Sequence, residues 1–139
     1  MTAKYRLFGT TADVGVVSYG ADVPRAFENQ ARGMFSVMAD MRRVRPRLHF
    51  TVEASGPDLP GLLASWLEEL LFIFDTRRVL LRGFSITKLD GLNLKGEAWG
   101  EEIDPARHVM KTPVKAVTYH MLEVTGTDGG IRTKVVYDI

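Results

Sequence analysis

The sequence predicts one α+β domain over residues 1–139, with two α-helices packed on a mixed, mostly antiparallel β-sheet of about seven strands. Three observations carry that prediction. Apolar residues recur at helical spacing in only two stretches, Phe27 to Met38 and Leu59 to Phe74. Strand-like runs crowd the second half of the chain instead of alternating with helices, which disfavours a doubly wound sheet. A chain of 139 residues can also bury roughly two-thirds of its unfolded surface without staples.

Tyr5, Leu7 and Phe8 suggest a short first strand, with a turn at Gly9, Thr10 and Thr11. Val14, Val16, Val17 and Tyr19 fill a second strand that stops at Gly20, with Asp13 at its entrance. Asp22 is placed to cap the first helix and Pro24 falls in its first turn, where a missing N–H costs nothing. Phe27, Ala31, Met34, Phe35 and Met38 make its apolar stripe. Gly33 inside that stripe costs up to ~1 kcal/mol against Ala unless close packing needs the missing side chain.

Arg42, Arg43, Arg45 and Arg47 read as a solvated connection, with phosphate contact as the alternative. Leu48, Phe50 and Val52 then alternate with polar residues, as in a strand with one wet face. Gly56 and Pro57 end it, Asp58 caps the second helix, and Pro60 lies in its first turn. Leu62, Leu63, Trp66, Leu67, Leu70, Leu71 and Phe74 make that helix the main hydrophobic plug, each large side chain worth ~1.5–3 kcal/mol on burial. Trp66 reads as core, not as a ligand platform.

Beyond a connection at Asp75 to Arg78, Val79 to Ile86 reads as a strand or a bent pair of strands. Asp90 and Gly91 turn the chain into a return strand containing Leu94, Ala98 and Trp99. Gly100 to Pro105 reads as an acidic loop leading to Arg107 and His108. Thr112 to Val124 is apolar on both alternating faces and is expected to be one strand covered on both sides. A Gly-rich turn at Thr125 to Gly130 joins it to the final strand, Ile131 to Tyr137.

Composition narrows the function classes. Eighteen Lys plus Arg against seventeen Asp plus Glu leave a net charge of +1, so no global field attracts nucleic acid or an anionic membrane. The absence of cysteine excludes disulfides, thiolate metal sites and thiol catalysis. No signal peptide or membrane anchor is read near Met1 to Phe8, and a soluble cytoplasmic protein is expected. Gly-rich phosphate loops, G-x-S-x-G, H-E-x-x-H and EF-hand loops are missing. The histidines, His49, His108 and His120, stand at no metal-ligand spacing, and His120 reads as a core or edge residue.

The sharpest candidates are acids. Asp13 stands at a strand entrance, where an Asx-turn role is the plain alternative. Asp138 and the carboxylate of Ile139 continue from a strand, so a third carboxylate nearby would complete a hard oxygen site suited to Ca²⁺, Mg²⁺ or Mn²⁺. Lys115 stands at a strand entrance too, where a snorkelling side chain is the ordinary reading. If the last strand runs antiparallel to the strands of Asp13 and Lys115, all three groups reach one end of the sheet.

The chain resembles the archease family over essentially its whole length. The residues that carry the likeness are T-A-D-V-G at Thr11 to Gly15, the stripe from Leu62 to Asp75, G-E at Gly100 and Glu101, V-K-A-V-T-Y-H at Val114 to His120, and the terminal D-I. The resemblance implies an α+β fold and an accessory, non-enzymatic role. Such proteins assist the RtcB-type RNA ligase of tRNA splicing and RNA repair, promoting its guanylylation and multiple turnover, and meet tRNA only through the ligase. It further implies a divalent-cation site, with calcium foremost, at Asp13, Asp138 and Ile139, and a required lysine at Lys115. Both acids and Lys115 would also meet the ligase. The family commonly has histidine where this chain has Thr10. The alternatives are a chaperone-like binding module, a metal-dependent hydrolase acting alone, and direct RNA binding through Arg42 to Arg47.

Overall fold

Alternating apolar residues form the first two strands, β1 (Tyr5–Gly9) and β2 (Asp13–Gly20), which pair antiparallel. In the computed structural model residues 4–9 and 12–139 are described. The turn expected at Thr10 and Thr11 lies outside those residues. Helix α1 (Val23–Met38) starts where Asp22 accepts a hydrogen bond from the Arg25 amide at 2.9 Å, with Pro24 beside the cap. A single 3₁₀ turn at Met41–Arg43 leads to β3 (Leu48–Ser55). Asp58 caps α2 (Leu59–Arg77) through the Gly61 amide at 2.7 Å. The hairpin of β4 (Val79–Asp90) and β5 (Asn93–Glu102) follows, then β6 (Ala116–Val117), β7 (Glu123–Thr127) and β8 (Gly130–Asp138).

Two helices and eight described strands confirm the α+β class. The strands divide between two sheets in which every pairing is antiparallel. The larger runs β1-β2-β8-β6, with β7 also on β8, and the smaller runs β3-β5-β4. Helix α1 packs on β2 and β8 of one sheet and on β4 of the other, while α2 packs on β3 and β4 and on β6. A single apolar cluster therefore joins both sheets, with Phe27, Phe35, Leu67 and Leu70 fully buried between them.

Close packing does need the missing side chain at Gly33: a Cβ there would collide with Val16 Cγ1. Trp66 is core, and its indole N–H donates to the Phe27 carbonyl at 3.2 Å. A polar chain also runs through the interior. The Tyr137 hydroxyl donates to Gln30 Oε1 at 2.8 Å, and Gln30 Nε2 donates to the Val16 carbonyl at 3.0 Å and to Thr133 Oγ1 at 2.8 Å. Thr133 meets Ser18 Oγ at 2.5 Å, and Ser18 donates to the Ala26 carbonyl at 2.8 Å. Burial pushes the Tyr137 hydroxyl well above its ordinary pKa.

Four expectations are corrected. Thr112 to Val124 is not one strand buried on both faces: only Ala116–Val117 pairs with β8 before Met121, at φ 57, turns the chain into β7. A left-handed residue cannot continue a pleat, so the run breaks despite its apolar composition. Helix α2 continues past Asp75 to Arg77, because nothing in Asp75, Thr76 or Arg77 breaks a helix. Arg78, at φ 54, ends it by donating its N–H to the Phe74 carbonyl at 3.0 Å. Gly100, Glu101 and Glu102 belong to β5 and not to a loop, with Gly100 opposite Leu48 and Glu101 opposite Leu80. The hairpin turn expected from Thr125 to Gly130 narrows to Asp128 and Gly129, the latter at φ 90.

Replacing Tyr137 with Phe leaves Gln30 Oε1 without its buried donor. The expected cost is about 1–3 kcal/mol in a urea unfolding titration, with an unchanged denaturant slope.

Candidate functional site

Pairing in the larger sheet decides where the candidate residues meet. Strand β8 lies between β2 and β6 and is antiparallel to both. Asp13 stands directly opposite Asp138 in register, and Ala116 stands opposite Asp138 on the other side. Directly opposed residues of an antiparallel pair project from the same face, with Cβ atoms ~4.5–5.5 Å apart. Two carboxylates are thus neighbours at one rim of the sheet. Lys115 joins the same rim, its amide donating to the Asp138 carbonyl at 2.8 Å. Asp138 and Lys115 are exposed, Asp13 is half-buried, and Ile139 packs partly against the core.

A cation site at this rim would have a donor set of carboxylate oxygens, the chemistry of Ca²⁺, Mg²⁺ or Mn²⁺ and not of a soft metal. Among the described residues no group of three or more His, Cys, Asp or Glu side chains could hold a metal ion. Register brings two carboxylates together here, Asp13 and Asp138, so a cation at this rim would need further oxygens from backbone, Ile139, water or a partner. The threonine at position 10, where histidine was the expectation, lies outside the described residues.

The path of Lys115 to this rim is fixed by residues 103–115, which cross from the smaller sheet to the larger one. The Lys111 and Thr112 amides donate to the Met38 and Val37 carbonyls at 2.8 and 3.2 Å, and Met110 forms a bridge with Ala39. These bonds occupy the carbonyls that end α1. Upstream, the crossing is anchored by Glu101, which is 5% exposed. Its Oε1 accepts from Arg107 at 2.7 Å, from the Arg45 amide at 3.0 Å, and from His108 Nε2 at 2.8 Å. Arg47 lies 3.8 Å from Oε2. The Asp104 amide donates to His108 Nδ1 at 2.9 Å, so the histidine proton sits on Nε2 and points at Glu101.

Foremost the Arg107 guanidinium, with His108 and the Arg45 amide, lowers the Glu101 carboxyl to about 2 against the opposing effect of burial. Sequence reasoning missed this anchor. Its signal is an acid followed at six and seven residues by a cation and a histidine, in a segment whose composition reads as an acidic loop.

Lys115 also lines two grooves of about 570 and 550 Å³. One contains Phe74, Asp75, Arg78, Met110 and Lys111; the other contains Glu68, Phe72, Asp75 and Tyr119. Neither includes Asp13 or Asp138, so the lysine shares their rim while serving the end of α2. Phe72 and Tyr119 are exposed, 53% and 68%, and Tyr119 donates to Glu68 at 3.4 Å. The Glu68 charge, with some burial, pushes the Tyr119 hydroxyl above its ordinary pKa. Phe72 falls off the apolar stripe of α2, which was the sequence signal for this exposed ring.

Elsewhere the candidates do not converge. His49 pairs with Glu97 at 3.0 Å on the smaller sheet, and His120 is exposed beside a turn, not in a core strand. Arg42 binds Asp40 at 2.6 Å and holds its carboxyl well below the usual carboxylate range. No helix among the described residues is long and apolar enough to cross a membrane.

Residues 5–139 match the model of the Archease protein family. Protein archease of Methanothermobacter thermautotrophicus is 43% identical over 138 residues, covering 97% of this chain and 98% of that protein. Protein archease of Sulfolobus acidocaldarius is 36% identical over 137 residues, covering 98% and 99%. The solution structure of a Methanobacterium thermoautotrophicum protein superposes with a TM-score of 0.84 at 42% identity, over 98% of this chain and 99% of that one. A Thermotoga maritima crystal structure, described as an archease and possible chaperone, shares the fold with a TM-score of 0.65 at 16% identity over 100% of both chains.

The Glu101 anchor makes a pH prediction. Its folded pKa of about 2 lies below the ordinary value of 4.5, so its stabilisation is complete above that value and is lost as pH falls toward 2. Glu101→Gln is expected to lower stability by about 2–3 kcal/mol at neutral pH and to flatten the acid limb. Urea unfolding from neutral pH down through this window measures both; an acid limb as steep as that of the parent refutes the assignment.

Proposed function

Because the chain belongs to the archease family, we propose that it is a non-enzymatic activator of an RtcB-type tRNA-splicing RNA ligase, promoting guanylylation and multiple turnover. The observation that supports this reading is the rim: Asp13 in register with Asp138, and Lys115 bonded through its amide to the Asp138 carbonyl. Here Asp13, Asp138 and the Ile139 carboxylate hold a divalent cation, calcium foremost, with magnesium or manganese as alternatives. Like charges directly opposed across two strands are destabilising, and a cation between them reverses that sign. Because two acidic side chains stand at the rim among the described residues, binding by this protein alone is expected to be weak and to strengthen when the ligase supplies further oxygens.

Lys115 is the partner-facing charge. Anchored by its backbone and extended toward the end of α2, it can meet a phosphate or a ligase carboxylate as the rim docks. The Ala116–Val117 strand is only two residues long, so the rim projects from a firm β2-β8 pair beside a short, accessible edge. A protein-binding reading without metal is favoured by one observation, the exposed Phe72 and Tyr119 beside Lys115.

Guanylylation of the ligase, measured with limiting protein, tests the proposal. Asp13→Ala, Asp138→Ala and Lys115→Ala are each expected to reduce stimulation at least about tenfold, the scale of losing one charge-assisted contact. Full stimulation by all three variants would sink it. If Phe72→Ser with Tyr119→Ser abolishes stimulation while those three retain it, the protein-binding reading replaces it. Calorimetric titration with Ca²⁺, Mg²⁺ and Mn²⁺ is expected to show weaker binding when one residue is appended after Ile139.

A further inference from the structure

The arginines of this chain are distributed unevenly. Eight of the twelve fall in or beside the segments that meet at one end of the smaller sheet. Register places Leu48 opposite Gly100 and Val79 opposite Glu102, so Arg47, just before β3, and Arg78, just before β4, flank the same strand ends. Arg77 closes α2 at that end. The connection carrying Arg42, Arg43 and Arg45 is tied there by Arg82, which donates to the Val44 carbonyl at 3.1 Å, and by Arg107, which donates to the Arg43 carbonyl at 2.6 Å.

The acids at this end do not cancel the charge. Asp40 holds Arg42, Glu101 holds Arg107 and Arg47, Asp104 lies 3.9 Å from Arg107, and Glu102 is exposed at the end of β5, so four acids stand against eight arginines. Other guanidinium groups are positioned by neutral partners that leave their charge in place. Arg82 rests on a carbonyl, Arg77 lies 5.3 Å over the Phe50 ring, and Arg78 lies 5.7 Å over the Phe74 ring. Arginines already ordered in this way lose less side-chain freedom when they bind, and their planar forks match phosphate oxygens. The groove next to this end adds Lys111 and Lys115 to Arg78, against one acid, Asp75. Arg43 and Arg45 thus stand on the connection tied to this end, and Arg78, Lys111 and Lys115 line the groove beside it.

We propose that this end is a docking surface for the phosphodiester backbone of single-stranded RNA, which it leads toward Lys115. A polyanion with one charge per nucleotide fits a row of separately anchored cations. The choice of RNA rests on the ligase reading; the surface itself stands on charge and placement alone. Recognition is through phosphates, so binding is independent of base sequence and falls steeply with salt.

Fluorescence anisotropy with a labelled single-stranded RNA and the full chain tests this. Engagement of four phosphates predicts a log–log salt slope of about −3, and about 50-fold weaker binding at 200 mM than at 50 mM NaCl. Arg43→Glu, Arg45→Glu and Lys111→Glu combined, all exposed positions, are expected to weaken binding at least about 30-fold and to flatten the slope. Lys88→Glu with Lys95→Glu, a register pair at the other end of the same sheet, is expected to change it less than about threefold.

No salt-dependent binding at the lower salt, equal binding by the triple variant, or an equal loss in the Lys88 and Lys95 variant overturns the proposal. Tighter binding of polyglutamate than of RNA also overturns it, in favour of an acidic protein. Asp13→Ala separates the two readings: it is expected to lose ligase stimulation and keep RNA affinity. If it stimulates normally while the salt and charge-reversal results hold, the ligase reading fails and the RNA surface stands.

Discussion

The register of β8 is the constraint on which the rest of the molecule depends. Strand side chains alternate with period two, so a slip of one residue would send Val135 and Tyr137 to the solvent face and bring Val136 and Asp138 inward. The apolar residues alone do not forbid that slip strongly, since Val136 is also buried. The Tyr137, Gln30, Thr133 and Ser18 chain does forbid it, because a slipped strand would leave several buried polar groups without partners. With β8 locked to α1 in this way, Asp13 must face Asp138, and the short β6 must deliver Lys115 to the Asp138 carbonyl. The rim is thus a consequence of polar bonds in the core, some residues away from it.

A second fastening handles the long crossing between the sheets. Residues 103–115 contain almost no regular structure, yet their backbone must not be left unpaired near the core. Two devices satisfy it. Glu101 gathers side chains and an amide from two separate segments at its upstream end, and the last carbonyls of α1 take up the Lys111 and Thr112 amides downstream. Lys115 emerges from this fastened strap. An entropic cost that a free loop would incur on binding is therefore met during folding.

Helices were the most legible part of the chain, because Asp22 and Asp58 caps, following prolines and apolar stripes all point to the same starts. The meeting of Asp13, Asp138 and Lys115 at one rim is legible to the extent that a hairpin signal gives strand direction. The Asp13 side of it rested on an assumption, and only the β2-β8 register removes that assumption. Reading failed where a tertiary contact overrides composition. Thr112 to Val124 looks like buried strand, but Met121 in a left-handed conformation divides it; Glu101 looks like a wet acid, but Arg45 and Arg47, distant in sequence, close over it together with nearby Arg107 and His108. Phe72 is the converse case, since its departure from the α2 stripe was visible and its exposure follows directly.

Charge distribution gives the last step. A net charge of +1 argues against global electrostatic attraction, and that argument is sound for distances beyond a Debye length of about 8–10 Å. It says little about a surface on which cations and acids are segregated. Guanidinium groups gather where the smaller sheet meets the ends of α1 and α2, and two carboxylates stand opposed at the rim of the larger sheet. Lys115 lies between, bonded by its backbone to the acidic rim and lining a groove with Arg78 and Lys111. A partner that presents both a cation site and an anionic strand would meet the two regions in one orientation only, since reversal sets like charges against like. Near-neutrality overall then favours selectivity: weak attraction at long range suppresses indiscriminate encounters, while the polarised end orients a specific one.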